Sequence, residues 1–579
     1  MRNDFVFRVR VIYFAFIFFA VLIAGRLFLV QVVHGSHYKQ KASEQYISPS
    51  ADYFDRGVIY FEKSDGQLIS AATVKKGYLL AISPKNIKNP EVVYTKIKKI
   101  LENSGNSGPV GVISRSDFLR RAGKKDDPYE EVAHKLSREQ AEAIRALKLK
   151  GVNVYSESWR FYPAKNLASR ELGFVGYKGN KLSGRYGLEK YYNNILSRND
   201  AGAGPVNSFA EIFMDIKKII SNNSGEGDIT LTIEPNVQSV LEINLEKALE
   251  KYKVVMAGGI IMEPATGRIL AMSAKPNFDP NNYGKVRDLS LFLNPAVQSV
   301  FEMGSIMKPL TLAAAMDTGA ISPGTVYNDK GYVILNGRKI ENYDGKGRGE
   351  ADMQQVLDQS LNTGAIFAMQ QMGKKEFKKY VIKYGLGEKS GIDLPDEVPG
   401  MISNLNSGRD VEYATASFGQ GIAVTPIEMI TAISSLANGG LLMRPYIVSE
   451  IRTREGVSRK IEPKIRRRVL KKETSEKISR MLAKVVDDAL LGGTVKLKNY
   501  TIAAKTGTAQ LHREDGRGYY DNEYLHSFFG YAPAFDAKFV VLLYLIKPQG
   551  VRYASHSLTE PFMNITKFMI NYYKIRPDR

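Results

Sequence analysis

The 579-residue sequence predicts an α+β protein: an antiparallel sheet with segregated helices, set on an elongated mixed α/β pedestal and tethered by one N-terminal transmembrane helix. Three observations predict it. An apolar run occupies residues 11–33. Short strand-like runs alternate with turns over residues 34–228. From 229 onward, strands stand at both ends of a region whose middle reads as helical, which favours separate sheet and helix layers over alternating β-α-β units.

In chain order, the first element is the anchor. "VIYFAFIFFAVLIAG" (11–25) carries no charge, and "LFLVQVV" continues the apolar run after Arg26. Residues 11–33 as a helix reach roughly 34 Å, enough to cross a bilayer, with Arg26 near one end where its side chain can snorkel. Arg2, Arg8 and Arg10 outweigh Asp4, so residues 1–10 are expected to stay cytoplasmic and the bulk of the chain to lie outside the plasma membrane. A cleaved signal peptide would need a small residue at −3; Ala20, Ala24 and Gly25 have Phe18, Leu22 and Ile23 there, which argues for an uncleaved anchor.

Residues 34–228 form the predicted pedestal. "RGVIY" and "GVNVYSESWRFYP" read as strands and "SREQAEAIRALKLK" as an amphipathic helix, with a loop at 103–111 and a junction at 221–228. From 229, "DITLTI" reads as a strand. "PNVQSVLEINLEKALEKY" reads as a helix opened by proline, and "AGGIIMEPATGRILAMSA" as two strands around a turn. "HSFFGYAPAFDAKFVVLLYLIKP" supplies two more strands, and "EPFMNITKFMINYY" a terminal helix.

The formal charge of +21 raises nucleic acid as a partner, but no nucleic-acid motif accompanies it, and dispersed lysines suit an anionic membrane or wall polymer better. There is no cysteine, and the six histidines are scattered, so neither a metal nor any other cofactor is expected.

Three motifs then fall in order: "SIMK" (305–308), "SLN" (360–362) and "KTGT" (505–508). Ser-x-x-Lys recurs at Ser36–Lys39 and Ser-x-Asn at 104, 197 and 221, so neither decides anything alone. Lys-Thr-Gly occurs once, after the strand-like "YTIAA", and the ordered trio is the signature of a serine acyl-transfer site. Positions i and i+3 of a helix share a face, so Lys308 can sit one turn from Ser305 and serve as its base, provided that burial and a second cation lower its pKa.

With "RGVIY", "RFYP", "GFVGY", "GRYGLEKYY", "LTIEPNVQ", "KPNFDPN", "ASFGQGIAVTP" and "HSFFGYAPAFD", the chain resembles a class B penicillin-binding protein, most closely the division-specific transpeptidase ("FEMGS", "SLNTG"). The resemblance implies a penicillin-binding transpeptidase fold over 229–579, a non-catalytic, dimerisation-type module over 34–228, and crosslinking of peptidoglycan stem peptides through an acyl-enzyme formed on D-Ala-D-Ala. By the same resemblance Ser305 is the nucleophile, Lys308 its base and Lys505 the second cation. Ser360 relays a proton, Asn362 binds the substrate amide, and Lys505 and Thr506 hold the terminal carboxylate, with Gly507 letting the substrate-binding backbone approach closely. The N–H groups of Ser305 and Thr508 form the oxyanion hole. Implied partners are β-lactams, a membrane-embedded glycan polymerase and division proteins. The sequence departs from the family where "FEKSDG" replaces an Asp-Arg pair, where Met303 replaces proline, and where Ile306 and Met307 replace a Thr-Phe pair.

Rival readings are each short of a feature. A β-lactamase or β-lactam sensor would not need the large N-terminal module. A bifunctional enzyme would need a glycosyltransferase domain in 34–232. A division scaffold, adhesin or wall-binding module would not need the ordered trio. An elongation-type class B transpeptidase shares nearly every motif. His526 is expected to be a structural hydrogen-bonder.

Overall fold

The structure, a computed structural model, describes residues 13–14, 17–23, 25–26, 54–103, 114–179, 181–198, 226–513 and 518–579. Within the predicted anchor the described residues are helical, and the rest of 11–33 lies outside them, as do most of the predicted loop at 103–111 and of the junction at 221–228. Among the described residues no helix is long and apolar enough to cross a membrane.

The chain divides into two compact units, one formed by Met1–Asp55 and Val74–Arg160, the other by Arg56–Thr73 and Phe161–Arg579. In the smaller unit, the later part of the strand Leu68–Ile82 pairs antiparallel with Glu130–Leu136, placing Tyr78 opposite Leu136 and Ile82 opposite Glu130. Helices Pro90–Asn103, Arg115–Ala122 and Arg138–Ala146 bury Ile97, Phe118 and Ile144 against Leu80, Ile82 and Leu136. The last helix starts where its sequence dictates, because Ser137 and Gln140 cap one another's backbone N–H groups.

In the larger unit, five described strands form one antiparallel sheet in the order Ala503–His512, Tyr519–Ala532, Phe539–Ile546, Met256–Met262, Ile269–Lys275. Its central strands are apolar without alternation because both faces are covered. Helices Pro235–Tyr252 and Ala554–Tyr572 cover one face, with Leu241 and Phe562 packed among Ile261, Phe528 and Leu543. The helical layer on the other face contains Lys308–Asp317, Asn362–Met372 and Pro426–Ala437. Pro235 opens its helix as expected, and the Glu234 carboxylate accepts from Val237 N at 2.7 Å.

A second sheet of this unit joins segments far apart in sequence. Strand Gly227–Leu231 pairs parallel with Ile59–Glu62 of "RGVIY" and antiparallel with Val448–Thr453. The sequence boundary at 228/229 falls inside that strand. Arg56 is buried here, its Nε 2.5 Å from a Glu189 carboxylate oxygen and its Nη2 donating to Glu189 O at 2.8 Å.

Candidate active site

The sequence places Ser305 at the start of a helix, and the structure opens that helix with a 3₁₀ turn that holds Ser305. Gly304–Met307 form a single 3₁₀ turn and the α-helix is Lys308–Asp317. Proline explains the difference. Residue 309 would ordinarily donate its N–H to the Ser305 carbonyl, but Pro309 has none, so Lys308 N donates to Ser305 O instead. A 3₁₀ turn eclipses i and i+3, which still puts the serine and the lysine on one side. Gly304 enters the turn at φ +63°, its N–H donating to Gly419 O at 3.0 Å. Met303 O accepts from Ser527 Oγ at 2.7 Å, which fastens the turn to the sheet.

Lys308 is wholly buried (0% exposed). Its Nζ donates to the Ser360 carbonyl oxygen at 2.5 Å and reaches Ser360 Oγ at 3.2 Å. Burial, and then the nearby charge of Lys505, drives its pKa well below that of an ordinary lysine. Lys505, 3% exposed, is lowered to about 8 by burial, opposed by the carboxylate of Asp358. Burial thus disfavours the charged form of both lysines, and the charge of Lys505 adds to that for Lys308.

Ser360 occupies the turn between helices Met353–Asp358 and Asn362–Met372 at φ +54°, a left-handed conformation that non-glycine residues adopt at a cost of about 1 kcal/mol or more. That conformation lets its carbonyl and its hydroxyl meet one lysine nitrogen. Asn362 Nδ2 donates to Glu341 O at 2.8 Å, and Thr363 Oγ1 donates to the buried Asp329 carboxylate at 2.7 Å.

"KTGT" lies within the strand Ala503–His512, at the edge of the five-stranded sheet. Lys505 and Gly507 are buried and Thr506 and Thr508 half-buried. A Cβ on Gly507 would stand 2.3 Å from Ser527 Oγ, 2.9 Å from Met303 O and 3.1 Å from Ile306 N, so only glycine lets the strand lie against the Ser305 turn. Thr508 Oγ1 accepts from Ala554 N at 3.1 Å. Ser305, Lys308, Ser360, Asn362 and the strand Lys505–Thr508 thus meet where the helical layer adjoins the sheet edge.

Residues 257–567 match the penicillin binding protein transpeptidase domain, and residues 53–203 the penicillin-binding protein dimerisation domain. The chain belongs to the penicillin-binding protein transpeptidase family. It is similar to stage V sporulation protein D of Bacillus subtilis, 31% identical over 575 residues that cover 96% of this chain and 84% of that protein. The peptidoglycan D,D-transpeptidase FtsI of Escherichia coli K12 is 27% identical over 455 residues, 77% of this chain and 73% of that one. Two crystal structures share the fold. Penicillin binding protein 2X of Streptococcus thermophilus has a TM-score of 0.70 at 21% identity, covering 90% of this chain and 80% of that one. Penicillin binding protein 3 of Mycobacterium tuberculosis complexed with ampicillin has a TM-score of 0.67 at 21% identity, covering 90% and 96%.

In this penicillin-binding protein the departures beside the nucleophile point inward. Met303, Ile306 and Met307 are buried in the core, so they change packing behind the site rather than its reactive groups. His526 is buried too. Burial lowers its pKa to about 4, leaving a neutral ring that donates from Nε2 to Arg552 O at 3.1 Å and accepts at Nδ1 from Ser557 Oγ at 2.7 Å. Sequence reasoning missed three contributors. Ser527 anchors Met303. Glu302 accepts from Gly421 N at 3.1 Å and Tyr519 Oη at 2.9 Å. Asp329 holds the segment that supports Asn362. The quoted segments "FEMGS", "ASFGQGIAVTP" and "HSFFGYAPAFD" contain Glu302, Gly421 and Ser527 without signalling these contacts, and no quoted segment contains Asp329.

Proposed function

We propose that this chain is a class B peptidoglycan D,D-transpeptidase in which Ser305 is the nucleophile. The observation that carries the reading is the buried Lys308 within hydrogen-bond reach of Ser360, its pKa driven down by burial and then by Lys505. Neutral Lys308 takes the Ser305 Oγ proton as Oγ attacks the carbonyl carbon of the penultimate D-alanine. The N–H groups of Ser305 and Thr508 stabilise the oxyanion, each such donor typically contributing about 3–4 kcal/mol. The C–N bond then breaks, and the terminal D-alanine leaves as an amine with the proton returned by way of Ser360. Lys505, Thr506 and Gly507 hold its carboxylate, and Asn362 orients the donor's amide. The amine of a second stem peptide attacks the acyl-enzyme, forming the crosslinking peptide bond and restoring the Ser305 hydroxyl. A β-lactam follows the first step and stays bound as the acyl-enzyme.

The test is acylation by a fluorescent penicillin followed by mapping of the labelled peptide. Label on Ser305, lost in a folded Ser305→Ala variant, is the expected result; label elsewhere removes Ser305 from the role.

Septal wall synthesis is the proposed setting, supported by relatives named FtsI, with spore formation as a second reading supported by the sporulation protein from Bacillus subtilis. In either setting residues 11–33 anchor the chain in the plasma membrane and meet a partner glycan polymerase and division proteins, with residues 34–228 as the non-catalytic pedestal. Small residues Ala15, Ala20, Ala24 and Gly25 suit close helix packing in lipid. Exchanging 11–33 for an unrelated membrane helix should leave penicillin acylation intact and impair septal function; division at the normal rate would reduce the segment to a tether.

A further inference from the structure

The charged segment "IRPDR" (575–579) reads in sequence as a solvated tail, yet the structure ties it to the approach to the third motif. Lys574, at φ +50°, turns the chain off the helix Ala554–Tyr572, and Ile575 N donates back to Ile570 O at 2.9 Å. The segment then runs beside Leu497–Thr501, which leads into the strand Ala503–His512. Tyr500 Oη donates to Ile575 O at 3.1 Å, and Asp578 N to Asn499 O at 3.2 Å. The Asp578 carboxylate accepts from Thr501 N at 2.8 Å and also from Thr501 Oγ1. Ala534 N, just beyond the neighbouring strand, donates to Thr501 O at 3.1 Å.

Arg579 makes a second link. The helix Lys472–Lys484 continues into one π turn, Val485–Ala489, and the chain then passes through Leu491, Gly492 and Gly493, all at positive φ. Arg579 spans the base of that excursion. Its guanidinium bonds both carboxylate oxygens of Asp487, with Nη2 3.0 Å from Oδ1. It also donates to Leu497 O, from Nη2 at 2.7 Å and from Nε at 3.1 Å. A planar fork of donors meets both partners at once, which a lysine cannot do. The side chains of Arg579 and Asp487 are 22% and 18% exposed, so water screens them less than an open surface pair. Among the described residues the strand Ala503–His512 pairs on one side only, with Tyr519–Ala532. Half of its ladder is unmade, so its placement leans on how its entry is held.

We propose that Asp578 and Arg579 are positioning residues that brace the entry to this strand and so keep Lys505, Thr506 and Thr508 in place against Ser305. The proposal rests on the acyl-transfer reading of that site. The two residues act through Thr501 and Leu497, four and eight positions before Lys505.

The experiment measures penicillin acylation against pH in Asp578→Ala and Arg579→Ala, each shown to be folded by circular dichroism. Acylation efficiency should fall roughly tenfold, within the about 100-fold that a misplacement of roughly 1 Å can produce. The alkaline limb should also move to higher pH, because a loosened strand lets water reach Lys505 and relieves the burial that lowers its pKa. The carboxylate that acts on Lys505 is Asp358 and the neighbouring amine is Lys308, so a moved limb reports a displaced strand rather than a deleted charge. Arg579→Lys should not restore the wild-type profile, and Thr501→Val combined with Asp578→Ala should lose no more than Asp578→Ala alone. If either the efficiency or the limb keeps its wild-type value in both alanine variants, the brace is overturned, whatever their melting temperatures. Hydrogen exchange supplies a test that needs no acylation. Amides of Ala503–His512 that pair with Tyr519–Ala532 should exchange faster in both variants, while those of Phe539–Ile546 keep wild-type protection. Wild-type protection throughout Ala503–His512 overturns the proposal. If penicillin fails to acylate wild-type Ser305, the acyl-transfer reading falls and the exchange experiment decides the brace by itself.

Discussion

The Lys308 Nζ meets both the carbonyl oxygen and the hydroxyl of Ser360, at 2.5 and 3.2 Å. One buried amine thereby links the nucleophile's helix to the turn that carries the second motif. The link depends on the left-handed backbone at Ser360, where glycine would be at ease and alanine would not. Ser360→Gly and Ser360→Ala should slow acylation alike, because both lose the hydroxyl, while the glycine variant is more stable than the alanine one by about 1 kcal/mol. Urea unfolding beside acylation rates checks this, and equal stabilities would show that the turn is unstrained.

Lys308→Ala should slow β-lactam acylation by about 10²–10⁴-fold, the usual contribution of a positioned base. Lys308→Arg should not rescue it, since a guanidinium stays protonated. Stopped-flow acylation reads both, and an alanine variant within a few-fold of wild type would exclude Lys308 as the base.

The acylation rate should follow a bell in pH. On the acid side it falls as Lys308, whose pKa burial and then Lys505 hold far below normal, takes up a proton and ceases to be a base. On the alkaline side it falls near pH 8, as Lys505 loses the charge that receives a carboxylate. In Lys505→Ala the alkaline limb should vanish and the acid limb move to higher pH, because the neighbouring cation is gone. An unmoved acid limb would separate the two lysines.

Gly507→Ala should lower both stability and acylation. Its methyl group would press on Ser527 Oγ and the backbone of Met303 and Ile306, which are fixed to the sheet and the Ser305 turn. Overpacking of this kind costs about 1–3 kcal/mol. Thermal denaturation and acylation on the same sample check the pairing of the two losses.

Glu171 offers a test away from the cleft. Burial raises its pKa to about 8, with Asn294 Nδ2 donating to it at 3.0 Å. Between the usual carboxylate range and pH 8 the folded state holds a proton that the unfolded state has lost, so this group's contribution is present at acid pH and lost as pH rises toward 8. Glu171→Gln should flatten that fall, gaining more in melting temperature at pH 8 than at pH 5. Glu428, raised by burial to about 7, leaves a residual slope of the same sign. Parallel melting curves for variant and wild type would show that Glu171 is ionised in the folded protein.

Periodicity and local capping were legible in the chain itself. Pro235–Tyr252 and the strands on either side of "EPATG" form where the sequence places them, because proline at a helix start and continuous apolar runs act over a few residues. The three motifs were legible as well, since an ordered set of reactive residues needs no geometry to be recognised. Tertiary structure alone decided three other matters. It buried Lys308 beside Lys505 and Ser360, and it paired "RGVIY" with Gly227–Leu231 across more than 160 residues of sequence. It also brought Asp329 and Ser527 to the site. The physical reason is common to all three. Hydrogen bonds between distant segments, and the burial that shifts a lysine's pKa, depend on which surfaces meet, and one-dimensional spacing carries no record of that.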